Sequence, residues 1–505
     1  MPTVRMPIVG SITNRNANAD LDDAKDQVFV NCFPEIGVNT ITGKSSVRLN
    51  KRQGAAASAD VQTGADGTYG SVVWTSNISA GATDAPVVMS FRKSTGTSVM
   101  FFDVANSNAQ IGGDVANTSE CFFMAEADVG GTGNITTALL DGSALEAWFF
   151  PAGGAWTQIT DADFPSNIMA AHAHLDGYMF VMTEGGRVYN SDLNSLSSWT
   201  ATSFITASSF GDKGAGCVRY KNLVVGFGDY STEFFYNAGN STGSVLKRVA
   251  DATIPIGAMR QSVSFPPVMR VVGDSVYWIG QRADSFARGV YRLKGMQAEK
   301  ISNTAIDRMI ANGKIVAIIG SLTLLGMTHV VFMTASTVRR ACYCIDTGFW
   351  WFVEIGGASG SSLQIAAAIG AVDSAFNKSY VTIDSNNAKV YTFNPNSPVW
   401  EDNAIAYSLT VQTDPIDLGT RRMKFWQAVS VIGDKEASAS AVGVAFSDSD
   451  DGSFATARDV NLNTPAANRL TRLGASRRRS WKLTHSAATP CRLEAIEIEY
   501  EVGSH

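Results

Sequence analysis

The stretch between Leu175 and Pro395 contains five copies of one pattern. Each copy has a short apolar strand, a polar turn and a second strand rich in aromatic or apolar residues. The inner strands of the copies are predicted to begin near Tyr178, Leu223, Val276, Val330 and Tyr380. A β-sheet unit repeated at a period of roughly 50 residues is typical of a β-propeller. Because enzymes, lectins and assembly proteins all use propellers, the repeat predicts an architecture and leaves the chemistry open.

Additional strand-forming segments precede the five copies. Between Tyr69 and about Thr160 the sequence has several apolar and aromatic runs, two of them joined by a Pro-Ala-Gly-Gly turn. These segments add one or two units, so we expect a propeller of six or seven blades over residues 55–403. A single helix is predicted over 302–313, where Asn303 or Thr304 can cap the start and Gly313 can end it.

The two ends of the chain do not follow the repeat. Residues 404–505 contain five strand-like segments, and the last of them, 493–502, alternates apolar and acidic residues as a strand with one buried face does. Residues 1–54 contain two strand-like segments and no core of their own. The sequence therefore predicts an all-β protein. It combines a propeller with a β-sandwich-like platform domain, which residues 404–505 form together with the paired 1–54 segment.

Composition limits the function classes. The chain has 505 residues, 45% of them hydrophobic and 17% charged, and a formal net charge of −6. This is a globular composition, and its charge argues against a general nucleic-acid binder, although a mildly acidic wall would let DNA slide past. No run of about 18 apolar residues predicts a membrane span, and no secretory signal is expected. The six scattered cysteines are predicted to be free thiols in a protein made in a reducing cytoplasm.

No combination of residues predicts catalysis, a cofactor or a metal. His172 and His174 lie two apart on one strand face and Asp176 follows, but a metal site needs a further ligand that nothing nearby supplies. Only five histidines are present to serve as bases, and neither a G-x-S-x-G elbow nor a phosphate-binding P-loop occurs. We therefore expect no catalytic, cofactor-binding or metal-binding residue.

One string is partly similar to the Asp-box of sialidase-type propellers. It runs from Asp448 to Phe454, and its expected role is to close a turn, with a calcium site as the alternative. The adjacent tryptophans Trp350 and Trp351 are expected in inter-blade packing, with a sugar platform as the alternative. A glycosidase would also need two carboxylates across a cleft. Candidate acids all lie beside turns: Asp176, Asp229, Asp274 and Asp284.

Basic residues cluster in three places and are the candidate interface residues. They are Lys51 and Arg52 near the start, Arg421, Arg422 and Lys424 in the C-terminal part, and Arg477, Arg478 and Arg479 further on. The two C-terminal clusters could pair with glutamates of the last strand, contact another subunit or contact DNA phosphates. The glutamates in question are Glu494, Glu497 and Glu499.

Several strings resemble a known family. The segments RNANADLDDAKDQVFVNCFPE and TGKSSVRLNKRQG resemble the start of tail hub or nozzle proteins of short-tailed bacteriophages, also described as packaged-DNA stabilisation proteins. Gln53 replaces the proline of the family's Lys-Arg-Pro-Gly-like string. Two further stretches are similar, VYRLKGMQAEKISNTAIDRMI and a C-terminal series that includes IDLGTRRMKFWQAVSV and CRLEAIEIEYE.

This resemblance implies a structural virion protein of the tail, assembled in the host cytoplasm. It implies a ring, of six copies, that lies below the portal and its adaptor, extends the DNA channel and holds or gates the packaged genome. The ring would touch passing double-stranded DNA without sequence preference and would contact tail fibres, spikes or a plug. The alternative function is a propeller glycosidase of the sialidase type, or a glycan-binding module without catalysis.

Overall fold

The computed structural model describes most of the chain and shows an almost purely β protein. The described residues are 3–8, 28–38, 45–57, 62–63, 65–75, 86–93, 98–105, 108–116, 120–130, 132–141, 144–151, 153–207, 209–260, 265–335, 339–356, 362–370, 378–383, 387–435, 441–449, 452–464 and 468–503. Within them, strands dominate and one helix occurs. The all-β class expected from the sequence is therefore confirmed.

Local sequence explains the repeated hairpins. Leu175 and Tyr178 face each other across a two-residue turn made by Asp176 and Gly177, whose φ angles are 53° and 81°. Positive φ at both central residues defines a type I′ turn, whose twist matches that of the flanking strands, and Asp-Gly is a preferred pair there. The strands beside this turn carry aromatic and β-branched residues that fill the space between neighbouring sheets.

Five propeller blades are separate antiparallel sheets among the described residues. Blade 1 contains Ala65–Val73, Val87–Lys93, Val99–Asp103 and Ala109–Gln110. Blade 2 contains Cys121–Val129, Thr132–Asp141, Ala144–Pro151 and Thr157–Gln158. Blade 3 contains Ile168–Leu175, Tyr178–Thr183, Arg187–Ser191 and Trp199–Thr206. Blade 4 contains Gly214–Tyr220, Leu223–Gly228, Thr232–Asn237 and Leu246–Arg248. Blade 5 contains Ile256–Ala258, Met269–Val272, Ser275–Arg282, Arg288–Lys294 and Gln297–Lys300.

Two further strand units belong to a larger sheet, which in the described part of the chain has thirteen strands. Unit 6 contains Ile315–Leu324, Met327–Thr334, Arg340–Cys344 and Trp350–Val353. Unit 7 contains Ile365–Gly370, Ser379–Ile383 and Val390–Phe393, and Ala56–Ala57 from the N-terminal part is its outer strand. One strand of each blade or unit contacts its counterparts in the two neighbours, and together these strands form a closed cycle. They are the first strands of blades 1 to 4, Met269–Val272 of blade 5, and the first strands of units 6 and 7.

The number of separate blade sheets is thus five and not the predicted six or seven. The physical reason is that units 6 and 7 are hydrogen-bonded to each other at Gly320 and Ala368 and continue into other strands. The predicted inner strands are also displaced by one position. Tyr178 and Leu223 begin the second strands of their blades, and the strands next to the axis are the ones before them.

The ends of the chain build a second β region, called here the terminal module. Its seven-stranded sheet contains Thr3–Pro7, Cys32–Val38, Ser45–Lys51, Lys424–Gly433, Leu470–Thr471, Ala475–Ser476 and Arg492–Val502. Its other strands extend the thirteen-stranded sheet and are Val28–Val30, Leu409–Gln412, Ala441–Ser447, Arg458–Asn461 and Ser480–His485. Short two-stranded pairs are formed by Ile355–Gly356 with Ser362–Leu363, Gln62–Thr63 with Asn387–Ala388, and Glu401–Asp402 with Ile405–Ala406.

N-terminal strands pair directly with C-terminal ones in this module. Thr3–Pro7 and Ser45–Lys51 pair with Arg492–Val502, and Val28–Val30 pairs with Leu409–Gln412. One hydrophobic cluster includes Val429 and Ile496 of the terminal module together with Val331 and Trp351 of unit 6. Because the module shares this core with the propeller, the two regions are held together by apolar burial as well as by strand pairing.

The helix lies where the sequence predicted it. It covers Thr304–Ala311, and the Asn303 side chain accepts a hydrogen bond from the Ile306 amide as an N-cap. Gly313 follows the helix with a φ of 69°, a left-handed conformation that glycine adopts without strain. None of the helical segments that the structure describes has the length and apolar character needed to cross a membrane.

Candidate functional site

A cavity that is partly open to solvent lies where the innermost strands of all the propeller units approach the axis. Its volume is about 260 Å³. Every innermost strand contributes to its wall, with Val72, Phe123, His172, Val218, Arg270 and Ser321 among the lining residues. A cavity of this volume is too small for a DNA duplex, whose major groove alone is ~12 Å wide. Among the described residues, this cavity therefore offers DNA no path along the propeller axis.

The paired histidines of the sequence line this cavity and are linked by a threonine. The Thr136 hydroxyl lies 2.8 Å from Nε2 of His172 and 3.2 Å from Nε2 of His174. The carbonyl of Ala170 can only accept, so Nδ1 of His172 carries a proton toward it at 3.0 Å. Burial lowers the pKa of His172 to about 4. Burial, together with the proximity of His172 and the charge of Arg219, lowers the pKa of His174 well below its usual range. Both imidazoles are therefore neutral at physiological pH.

His172 and His174 have no further metal ligand beside them in the described part of the chain. Within the described residues, no three histidine, cysteine or carboxylate side chains come together in a group that could hold a metal ion. Asp176, the third residue considered in the sequence, instead accepts a hydrogen bond of 3.0 Å from the Asn237 side chain. The six cysteines are all free and buried, and burial raises the pKa of each thiol for which a shift is resolved, such as Cys121 to about 11.

Arg270 is the cation of the axial cavity. It lies on the innermost strand of blade 5 and is only 9% exposed. Its Nη1 donates to the carbonyl of Ile319 at 2.7 Å, and its guanidinium lies 5.8 Å from the ring of Phe123 on blade 2. Since blades 2 and 5 are not neighbours in the ring, the side chain reaches across the axis. Burial lowers the pKa of Arg270 to about 10, so it still carries its charge.

The eight basic residues proposed as an interface fall into two groups of four. Lys51, Arg52, Lys424 and Arg479 are at most 1% exposed, so they do not form a docking surface. This corrects the prediction that these four are interface residues: their charged groups are buried because carbonyl and carboxylate oxygens of the same chain accept their hydrogen bonds. The remaining four, Arg421, Arg422, Arg477 and Arg478, are exposed.

Arg52 joins the N-terminal segment to the propeller. Its guanidinium donates to the Asp402 carboxylate at 2.5 and 2.9 Å, to the Asn31 side chain at 2.8 Å and to the Glu354 carbonyl at 2.6 Å. The ring of Tyr407 packs under it at 3.9 Å. Burial alone lowers the pKa of Arg52, but Asp402 and its hydrogen bonds more than offset this and raise it. The residue is a structural clamp between distant parts of the chain.

Lys51 and Arg479 are also structural. Nζ of Lys51 donates to the Ala487 carbonyl at 2.7 Å, and burial lowers the pKa of this lysine to about 8. Arg479 forms a two-point contact with Asp448 at 2.6 and 2.7 Å and lies 3.9 Å from the ring of Phe446. Asp448 is the first residue of the Asp-box-like string. In this chain its carboxylate binds Arg479, and the described part of the string shows no other role for it.

Lys424 brings the exposed arginines together. Its ammonium donates to the carbonyls of Thr420 at 2.5 Å, Arg422 at 3.2 Å and Arg477 at 2.6 Å. These contacts hold the loop that carries Arg421 and Arg422 against the loop that carries Arg477 and Arg478. The four exposed arginines, with the exposed apolar side chains Met423, Phe425 and Val502, are called here the arginine patch.

The glutamates expected to pair with these arginines have other partners. Glu494 contacts Arg5 and Arg48, and Glu499 contacts Arg469. Glu494 and Glu499 thus pair with arginines outside the two C-terminal basic clusters, and the predicted pairing of those clusters with these two glutamates is wrong.

Features that suggested carbohydrate chemistry are accounted for by packing. Trp350 and Trp351 are at most 1% exposed, and their ring nitrogens donate to the Ile301 carbonyl and to Nδ1 of His329, both at 3.1 Å. They therefore pack between strands, as expected, and do not form a sugar platform. Asp284 forms an exposed ion pair with Arg282 at 2.7 Å.

Two residues central to these sites were not singled out from the sequence. Arg270 lies in the string VMRVVGD, where one charged residue interrupts a strand that faces the axis. Asp402 lies in a polar turn and looks like any other turn acid. An isolated charge in an apolar strand could have indicated Arg270, but nothing local distinguishes Asp402, because its partner is about 350 residues away.

Comparisons with solved structures show distant likeness only. The structure titled "Streptogramin B lyase structure" is 10% identical, with a TM-score of 0.40, and the match covers 72% of this chain and 98% of that one. A chain of "Crystal Structure of Mitotic Checkpoint Complex" is 8% identical, with a TM-score of 0.31 and coverage of 61% and 86%. "YCF48 bound to D1 peptide" is 7% identical, with a TM-score of 0.37 and coverage of 66% and 94%.

Sequence comparison is more specific. No curated protein matches the chain significantly. The family model described as bacteriophage P22 Gp10, β-propeller, matches residues 22–316, which is more than half of the chain. The match covers blades 1 to 5 and includes most of the N-terminal strings on which the resemblance rested. The resemblance is thus confirmed, and this chain belongs to the Phage_stabilise family of bacteriophage structural proteins.

Proposed function

We propose that this protein is a subunit of the phage tail hub or nozzle. Copies of it, six in number, form a ring below the portal and its adaptor, and the ring extends the DNA channel and retains the packaged genome. The observation that carries this proposal is the family match over residues 22–316. On this proposal the protein acts in the virion through assembly and not through catalysis.

The geometry of the propeller supports a channel that lies between subunits. An axial cavity of about 260 Å³ cannot admit a duplex, so any DNA passage has to be enclosed by several copies. Closed rings arise from head-to-tail contacts in which one surface of a subunit meets a different surface of the next. Each chain carries a net charge of −6, so a channel wall made of these chains would make only weak, sequence-independent contacts with passing DNA.

The arginine patch is a suitable contact surface for such a ring or for the neighbouring tail proteins. It combines four exposed guanidinium groups with the exposed side chains of Met423, Phe425 and Val502. Arginine and aromatic residues are enriched in protein interfaces, where apolar contact gives affinity and charge gives orientation. Because the chain as a whole is acidic, an adjacent copy has carboxylates to offer. Adaptor, fibre, spike and plug proteins are the other proposed partners.

Imaging of intact virions tests the placement. Cryo-electron microscopy of the tail should show six copies of this chain in one ring below the adaptor, with the duplex channel between them. Particles assembled without the protein should package DNA and then lose it, which a nuclease-protection assay measures. Absence of the chain from the tail, or normal genome retention without it, would contradict the proposal.

A charge reversal tests the arginine patch. Arg421→Glu with Arg422→Glu should prevent incorporation into tails, because both residues are exposed and the substitution reverses the sign of the patch. The matched control is Arg288→Glu with Lys294→Glu, two exposed residues of blade 5 that change the net charge equally. Incorporation of both variants at the wild-type level would show that the patch is not an assembly surface.

A further inference from the structure

Arg270 differs from the other buried arginines in how its charge is compensated. Arg52 and Arg479 each face a carboxylate, Asp402 and Asp448 respectively. Arg340, on unit 6, donates to oxygen atoms of Ile365 and Thr334 and has further partners. Arg270 has one acceptor, the Ile319 carbonyl, and no carboxylate pairs with it within the part of the chain that the structure describes.

Burying a cation in this way is costly. Removing an ammonium or guanidinium group from water costs several kcal/mol unless an anion and a full set of hydrogen bonds compensate. A neutral carbonyl and a ring 5.8 Å away compensate only in part, because a guanidinium has five N–H donors. The remaining donors face the cavity and not packed protein. Within the described residues they have no acceptor, and the cavity has space for a ligand that would supply one.

The rest of the lining keeps the local charge positive. Arg219 and Arg270 contribute two positive charges and Glu126 one negative charge, which gives a net of +1 for the charged lining residues. The Glu126 carboxylate accepts a hydrogen bond of 2.6 Å from the Thr75 hydroxyl. The imidazoles of His172 and His174 hydrogen-bond Thr136 and add no charge at neutral pH. A small anion is therefore the ligand class that fits this charge balance.

We propose that the axial cavity of the propeller binds a small oxyanion, a carboxylate or a phosphate group, with Arg270 as its principal ligand. The planar guanidinium fork matches the two oxygens of such a group and can donate to both at once. A volume of about 260 Å³ has room for the group with several waters, since each water occupies ~30 Å³ in the liquid. The site is distinct from the arginine patch and does not depend on the proposed role in the tail.

Calorimetry with two probes tests the proposal. Inorganic phosphate and sodium acetate are titrated separately into the full-length protein at constant ionic strength. We expect one site per chain, and Arg270→Met should weaken binding by about tenfold or more, because hydrogen bonds to a charged group are lost. Arg288→Met, which removes an exposed arginine of blade 5, is the matched control and should bind like the wild type. Tighter binding of phosphate would assign a phosphate group, and tighter binding of acetate a carboxylate.

Two further measurements keep the proposal open to disproof if Arg270→Met does not fold. Arg270→Lys keeps the charge without the fork, and it should bind the preferred probe more weakly than the wild type but measurably. A crystal of the wild-type protein soaked in sodium bromide should show an anomalous peak within hydrogen-bonding distance of the guanidinium. Absence of binding for both probes, equal binding by Arg270→Met, or a bromide peak only at other sites would overturn the proposal.

Discussion

The buried arginine at the propeller axis and those at or within the terminal module differ in the partners of their guanidinium groups. Arg52 and Arg479 lie at or within the terminal module, and each has a carboxylate and an aromatic ring against its guanidinium. Arg270 lies at the propeller axis with one carbonyl and a more distant ring. The comparison teaches that a buried charge marks a structural clamp when the chain supplies a counter-ion or several acceptors, and a candidate binding site when it supplies neither.

Removal of the Asp402 carboxylate is the strongest way to break the first half of this comparison. Asp402→Ala leaves Arg52 buried without its counter-ion, and this should lower the free energy of unfolding by about 3–5 kcal/mol. Urea denaturation followed by tryptophan fluorescence measures the loss. The control is Asp284→Ala, which breaks an exposed pair and should leave the midpoint unchanged. A small effect at Asp402 would mean that the clamp does not stabilise the fold.

Buried histidines give the next largest effect, as a dependence on pH. Burial lowers the pKa of His329 to about 3, so the folded state binds fewer protons than the unfolded state below pH ~6.5. The stability contribution of the neutral ring is therefore complete above pH ~6.5 and is lost as the pH falls toward about 3. Between pH ~6.5 and ~4.5 the wild type should lose on the order of 2–3 kcal/mol more than His329→Gln. Parallel curves from urea denaturation at each pH would contradict this.

Asp448→Asn should have a smaller effect than Asp402→Ala. The Asp448 side chain is 35% exposed, so water can partly replace its contact with Arg479, and asparagine can still accept a hydrogen bond. We expect a loss of about 2 kcal/mol, in the range for hydrogen bonds between charged groups. The same denaturation experiment measures it. A loss as large as that of Asp402→Ala would show that exposure of one partner does not weaken such a clamp.

The exposed arginines should have the smallest effect on stability. Arg421→Glu with Arg422→Glu should change the free energy of unfolding by no more than about 0.5 kcal/mol, because surface substitutions away from packed groups have little effect. Denaturation of the isolated protein measures this, alongside the incorporation assay described above. A large loss of stability would mean that failure of assembly reflects misfolding and not a lost contact.

Architecture was more predictable from the sequence than the sites were. Hairpins such as the one at Asp176 and Gly177 are encoded locally, so the propeller repeat, the helix over Thr304–Ala311 and the irregular ends could all be anticipated. The number of separate sheets could not be predicted, because units 6 and 7 join into one sheet where Gly320 closely approaches Ala368.

The candidate sites depended on long-range partners that a local pattern does not contain. Four of the eight basic residues proposed for an interface are buried, and the partners that hold them, such as Asp402 for Arg52, are distant in the chain. Arg421 and Arg422 were correctly placed in a basic cluster, but only the contacts of Lys424 show that they lie beside Arg477. The axial position of Arg270 likewise required the closed ring of strands.

The pairing of Ala56–Ala57 with Val390–Phe393 has a consequence for biosynthesis. The ribosome makes the outer strand of unit 7 about 330 residues before its partner, which at ~5–20 residues per second is a delay of about 20–70 s. Unit 7 therefore cannot complete its sheet until residues 390–393 have left the ribosome, so this part of the ring closes late in synthesis.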